Sequence, residues 1–453
     1  MVYKITISFL LVLCFNYALA QNKDNCHCSI VLKEIILDIE NNYPGYQAKL
    51  KVYNEREYKK LKTKAIEQAS TNADREKCFY IIEGYIRFFN DNHIIFTDRK
   101  TQPKQVLNKK NLVNDTSDQL IGIWRRSSDS LRVKIVKESK ESTSSTYKGY
   151  IVEPTGRIGN IHFELIGNEH EFRVRKYNSW LTTDLLRGRR LRNLLIEPDG
   201  IWQKTAYKTD DLHIKTSSYP NNSKFTYKPI TDNIYYLGIP AFKVDATEFD
   251  SIIVNQVIPQ VNANKVKNLI IDLRNNVGGN SSFLSLMRLV YEKPFSLPGD
   301  FLYSTADLIK DYQTSTSPYR QSMLPKLVAN IGNFVQRDSL KMALKESYQY
   351  PATISIIVNE NTASSSEYFL KLAKHSMKVR VYGRHTAGTL DYSELFKPEK
   401  LPCPDYFFMR PTTKSYWTDT NPIDNTGIKP DVDLSSYPDN AWIDIIVDKY
   451  ISK

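Results

Sequence analysis

Between residues 28 and 92 apolar side chains recur at helical spacing. Leu32, Ile35, Ile36 and Ile39 form one stripe, and Cys78, Ile81, Ile82, Tyr85, Ile86 and Phe89 form another. Asn72 and Asp74 are both placed to cap the start of the second helix. From about 118 to 228 the pattern changes to short β-favouring runs at 131–136, 147–152, 160–165 and 171–176, punctuated by Gly, Asn and Asp. From about 230 the two periodicities alternate. Strands are predicted at 234–239, 266–273, 353–358 and 379–382, and helices at 248–261, 282–291 and 365–377. Strand-then-helix order predicts an α/β layer with parallel strand pairs. The chain is thus divided into a helical domain over 21–105, a β-rich middle domain over 110–229 and an α/β core over 230–453.

Residues 1–20 are set apart from this scheme. Lys4 precedes an apolar run from Ile5 to Phe15, and Ala18-Leu19-Ala20 follows, the pattern of a secretory signal with cleavage before Gln21. The run is short for a membrane span, and no later one is long and apolar enough. An exported chain is expected, periplasmic or extracellular. The 41% apolar and 25% charged residues are ordinary globular values and exclude a collagen-like or disordered chain.

Beyond Cys14, in the leader, four cysteines remain: Cys26, Cys28, Cys78 and Cys403. Export favours disulfides. A bond from Cys26 or Cys28 to Cys78 is expected to staple two helices, with the partner of Cys403 left open. Cys26-His27-Cys28 lacks a second Cys/His pair at suitable spacing, so no metal site is expected, and no cofactor. The net charge of +12 is spread along the chain without a basic stripe interleaved with aromatics, which argues against nucleic acid as a partner. The densest basic patch, Arg187-Gly188-Arg189-Arg190-Leu191-Arg192, reads as a solvated loop rather than a ligand site. Residues 137–146 read as a polar loop between strands, and 299–347 as a helical lid.

Three stretches of the last domain carry candidate chemistry. Asp272-Leu273-Arg274-Asn275-Asn276-Val277-Gly278-Gly279 follows a strand. Its glycines suit either a plain turn at positive φ or backbone N–H groups presented to an oxyanion. In Val358-Asn359-Glu360-Asn361-Thr362-Ala363-Ser364-Ser365-Ser366-Glu367 a strand ends and a helix begins. Ser364 there is either a capping-box residue with Glu367 or a nucleophile at a strand-turn-helix junction. Asp424, in Ile423-Asp424-Asn425-Thr426-Gly427-Ile428-Lys429-Pro430-Asp431, is either a turn-capping aspartate or a functional acid.

Taken in order, with Gly383-Arg384-His385-Thr386-Ala387-Gly388 between the second and third, these segments resemble the C-terminal processing peptidases, or tail-specific proteases. The resemblance covers about 230–435. It implies a crotonase-like α/β catalytic core, a protein or peptide substrate and Ser364 as nucleophile, with backbone N–H groups of Gly278, Gly279 and Ser365 at the oxyanion. Many members carry a base lysine just after the Gly-x-x-Thr-x-Gly segment, where this chain has Thr389, so either the protein is inactive or another group deprotonates the serine. The tricorn-type branch carries a histidine where the helical portion ends, and an acid just before the Gly-Ile/Val-x-Pro-Asp segment. Those positions are His93 and Asp424 here, Asp standing where the family usually has Glu. His385 is the alternative base. His27 sits in the cysteine-rich start, His162, His170 and His213 lie in the β-rich middle with no motif around them, and His375 falls late in the helix after Ser364. Family members often carry a PDZ domain in the middle, but no Gly-Leu-Gly-Phe-like loop stands between 118 and 228. The resemblance leaves two other functions open: an inactive peptide- or lipophile-binding protein on the same fold, and a hydrolase of non-peptide esters or amides.

Overall fold

The computed structural model describes residues 26–100, 112–113, 117–138, 146–177, 180–205, 225–398 and 401–451. The expected leader, His213, most of the 137–146 loop and the junction near 105–110 lie outside them.

Among the described residues four helices come first: Cys28–Asn42, Tyr46–Tyr53, Glu55–Ser70 and Arg75–Arg87. Of the two candidate caps it is Asp74 that accepts from Lys77 N, at 2.8 Å. The two apolar stripes meet: Val31, Leu32, Ile35 and Ile39 share one core with Phe79, Ile82, Tyr85 and Ile86. Cys28–Cys78 staples the first and fourth helices, and Cys26–Cys403 ties the start of the bundle to the far end of the chain. Both cysteines of the Cys-His-Cys segment are therefore consumed as disulfides.

The middle of the chain is a nine-stranded antiparallel sheet. Pairing of Arg132–Glu138 with Thr146–Val152 closes it into a barrel, which leaves no open edge along the ring. Its interior is filled by Trp124, Trp202, Phe163, Leu165 and Leu195, so it is a packed core rather than a channel. The basic patch is not a solvated loop. Leu186–Leu191 is a strand hydrogen-bonded on both sides, and Arg189 is 3% exposed. Gly188 leaves the room that the Phe172 ring fills from the next strand. The charged side chains on the other face are covered by neighbouring parts of the chain, which hydropathy alone does not register.

The core sheet runs Thr226–Thr231, Ile234–Gly238, Asn268–Asp272, Thr353–Val358, Val379–Gly383, Val432–Asp433, parallel after its first pair. The helix predicted over 248–261 is interrupted. Ala246–Ile252 passes through a π-helical turn, Ile253–Val257, into Ile258–Ala263. Pro259 lacks the N–H and crowds the carbonyl four residues back, which explains the wider turn. The stretch predicted as a helix over 282–291 is a 3₁₀ turn, Ser281–Leu286, with one short α-turn, Met287–Val290.

A second sheet joins the parts. Its central strand Tyr406–Lys414 pairs with Ile95–Asp98 from the end of the helical region, with Tyr392–Phe396, and with Phe301–Tyr303. Leu181–Thr182 of the middle region adds to Ile95–Asp98. The expected lid holds two helices, Ala306–Thr314 and Pro318–Val328, together with strands, around Leu302, Leu308, Tyr312 and Leu327. Among the described residues no helix is long and apolar enough to cross a membrane.

Candidate active site

Ser364 sits between the buried strand Thr353–Val358 and the helix Ser365–Ala373, with φ of 55°. A non-glycine residue there is strained, and such strain persists only where the surroundings impose it. Glu367 imposes it. Fully buried, it accepts from Ser364 N at 3.0 Å, from Gly388 N at 2.7 Å, from Thr389 N at 2.8 Å and from the Thr386 hydroxyl. Burial pushes its carboxyl above the ordinary range, opposed by these hydrogen bonds. Thr389, where the relatives' lysine would stand, serves this bracing through its backbone.

The serine hydroxyl meets a residue from the other end of the chain: Ser364 Oγ lies 3.1 Å from His93 Nε2. His93 is 5% exposed and follows the last helix of the bundle. Its backbone N–H donates to Asp91 Oδ1 at 2.8 Å, and Asp91 Oδ2 accepts from the Tyr43 hydroxyl at 2.7 Å. Ile95–Asp98, beginning two residues later, anchors the segment in the joining sheet. The Nδ1 atom of His93 is 2.6 Å from the backbone carbonyl of Tyr392. A carbonyl only accepts, so Nδ1 carries the proton and the Nε2 lone pair faces Ser364.

Asp424 is close by but does not touch His93. Its Oδ1 accepts from Leu390 N at 3.1 Å and Asp391 N at 2.9 Å, bracing the segment that presents the Tyr392 carbonyl. Its Oδ2 is buried without a hydrogen-bond partner among the described residues, 3.9 Å from Lys49 Nζ. Burial, with Asp91 and Asp391 nearby, pushes this carboxyl well above the usual range. Asp391 locks the other side, accepting from Trp417 Nε1 at 2.9 Å and Asp424 N at 2.8 Å.

The turn after Asn268–Asp272 packs directly on Ser364. A Cβ at Gly278 would meet Ser364 Cβ at 2.9 Å and Ser365 N at 2.8 Å. The Gly278 N–H is itself occupied, donating to Asn276 Oδ1 at 2.9 Å. The N–H groups of Gly279 and Ser365 have no such bond among the described residues. His385 is turned elsewhere. Its Nδ1 bonds the Thr386 carbonyl at 2.9 Å, and it lines a second cavity of about 420 Å³ that shares Arg187 and Glu360 with the Ser364 cleft. Burial pushes His162, in the barrel, down to about 4, and His375 stacks on Phe295. Ser364, His93, Gly279 and Ser365 all line one cleft of about 1040 Å³, walled by all three regions of the chain. The Tyr392 carbonyl escaped sequence reasoning because a main-chain acceptor leaves no residue-type signal.

Residues 233–434 match the family model described as Peptidase family S41. The enzyme is a serine-type peptidase. No curated protein matches the sequence. The fold is similar to that of mature CPAF, at TM-score 0.50 and 13% identity over 90% of this chain and 93% of that one. A point mutant of CPAF gives TM-score 0.51 and 14% identity over 92% of this chain and 94% of that one. The photosystem II D1 C-terminal processing protease aligns over 90% of this chain and 93% of its own, at TM-score 0.38 and 12% identity.

Proposed function

We propose that this protein is an exported serine endopeptidase, related to the tail-specific proteases, in which Ser364 is the nucleophile and His93 the general base. The observation that carries the reading is the 3.1 Å contact between Ser364 Oγ and His93 Nε2, made across 271 residues of sequence. His93 Nε2 takes the hydroxyl proton as Oγ bonds to the peptide carbonyl carbon. The N–H groups of Gly279 and Ser365 receive the negative charge that develops on the carbonyl oxygen, helped by the helix N-terminus behind Ser365. Imidazolium then protonates the leaving amine, and the acyl-enzyme is hydrolysed by water that His93 deprotonates. The Tyr392 carbonyl fixes the tautomer and accepts from the imidazolium, the role an acid side chain fills in other triads. Asp424 is a positioning residue that holds Leu390 and Asp391, and through them that carbonyl. The parallel core strands support a crotonase-like core. Two disulfides suit an oxidising compartment and so support export.

The test is labelling by a fluorophosphonate probe. Wild type is expected to label, and Ser364→Ala and His93→Ala are expected not to. An unlabelled wild type would overturn the reading, and labelling lost in His385→Ala but kept in His93→Ala would move the base.

A further inference from the structure

The outer face of the barrel nearest the site carries four arginines on two adjacent strands, Glu171–Lys176 and Leu186–Leu191. Two of them are neutralised. Arg175 pairs with Glu83 and Glu164, and Arg189 with Asp439 and Glu360. The other two, Arg173 and Arg187, are cross-strand partners in the antiparallel register. Neither side chain makes a salt bridge or hydrogen bond with a described residue.

Three of the acids around them are committed elsewhere: Glu171 pairs with Arg384, Glu83 with Arg87 and Arg175, and Glu367 with the nucleophile turn. Asp184, on the cleft wall, feels Lys243, His93 and Arg173 but makes no salt bridge with a described residue. Like charges directly opposite each other on a sheet are destabilising. Here the cost is raised by loss of solvent: burial, then Arg187 and Arg87, push Arg173 down to about 10, and burial also lowers Arg187. Both guanidiniums remain charged at neutral pH.

Arg173 and Arg187 both line the cavity beside His385, and Arg187 also lies in the wall of the cleft that holds Ser364, so the two spaces meet at Arg187. It is held there rigidly, because its N–H and C=O both bond the side chain of Asn361, at 2.7 and 2.9 Å, three residues before the nucleophile. We infer that Arg187 and Arg173 form a subsite for an acidic side chain of the bound peptide, so that the enzyme prefers Asp or Glu close to the scissile bond. A carboxylate there would accept from two guanidinium forks and relieve their repulsion. The inference rests on the peptidase reading.

The test reads binding, so it does not depend on turnover. Full-length Ser364→Ala protein is titrated calorimetrically with N-acetylated, C-terminally amidated decapeptides. A single Glu is moved along an otherwise neutral host, with Gln as the counterpart at each position. One position is expected to favour Glu over Gln by about tenfold or more, the range of a charge-assisted pair. Arg187→Gln and Arg173→Gln, each added to Ser364→Ala, are expected to abolish that preference. Unchanged affinity for the Gln peptide will show that the cleft is intact. Absence of any Glu preference overturns the subsite, as does a preference that survives Arg187→Gln. A gain seen only when the C-terminal amide is replaced by a free carboxylate also overturns it, since that is capture of a chain end. Failure of the peptidase reading appears separately, as absent fluorophosphonate labelling of wild type.

Discussion

At the scale of single residues, the arrangement around His93 separates two roles that an acid can take. An aspartate bonded to the catalytic imidazole must be charged, and its change to Asn costs on the order of 10⁴-fold in rate in the serine proteases that define the pattern. Asp424 instead accepts two backbone N–H groups through Oδ1, which an Asn side chain also does. Asp424→Asn is therefore expected to keep kcat/KM within about tenfold of wild type. Asp424→Ala, which strands two donors, is expected to cost about 1–3 kcal/mol per unsatisfied group in urea unfolding. A fall of about 10⁴-fold for the Asn variant would make Asp424 a direct partner of His93. The same carboxyl gives a pH dependence. Its folded pKa is raised above the unfolded value of 3.8. Its contribution is thus fully present below that value and is lost as pH rises through the folded one. The stability of Asp424→Asn relative to wild type is expected to improve as pH rises above about 4 in denaturant titrations. An unchanged difference would place the raised pKa elsewhere.

At the scale of elements, two segments show what local pattern conveys. The stretch 353–367 reads correctly as strand, turn and helix because Ile354, Ile356, Ile357 and Val358 and the Ser364/Glu367 spacing are all local signals. The segment 186–191 misleads, because a strand whose outer face is arginine looks like a solvated loop until Glu83, Glu360 and Asp439 are brought against that face from elsewhere. The turn at Gly278 shows the same division. Its glycines are visible, but the reason for Gly278, that a Cβ there would meet Ser364 Cβ at 2.9 Å at a φ of 90°, is tertiary. Gly278→Ala must displace the nucleophile turn. It is expected to lower kcat/KM on the order of a hundredfold, the effect of a misplacement of about 1 Å, with far-UV circular dichroism unchanged. Activity near wild type would mean that the turn yields without moving Ser364.

At the scale of the molecule, the site exists only while the helical region is docked on the α/β core. Tyr406–Lys414 pairs with the strand behind His93, Arg75 bridges Asp98 and Asp405, and Cys26–Cys403 closes the same junction. Replacing Cys26 and Cys403 together by Ser is expected to lower stability by about 2–4 kcal/mol in urea unfolding. An unshifted curve would mean that the paired strands alone hold the junction. The sequence by itself determined the order of helical, β-rich and α/β segments, the strand-turn-helix junction that presents Ser364 and the threonine at 389 where a lysine would be expected. These rest on periodicity, turn chemistry and residue type, all carried by neighbours in the chain. The tertiary structure alone decided that His93 reaches Ser364, that a backbone carbonyl rather than Asp424 meets its Nδ1, and that Arg173 and Arg187 face each other without a salt bridge among the described residues. These are facts of distance and desolvation between residues far apart in sequence, and no local pattern encodes them.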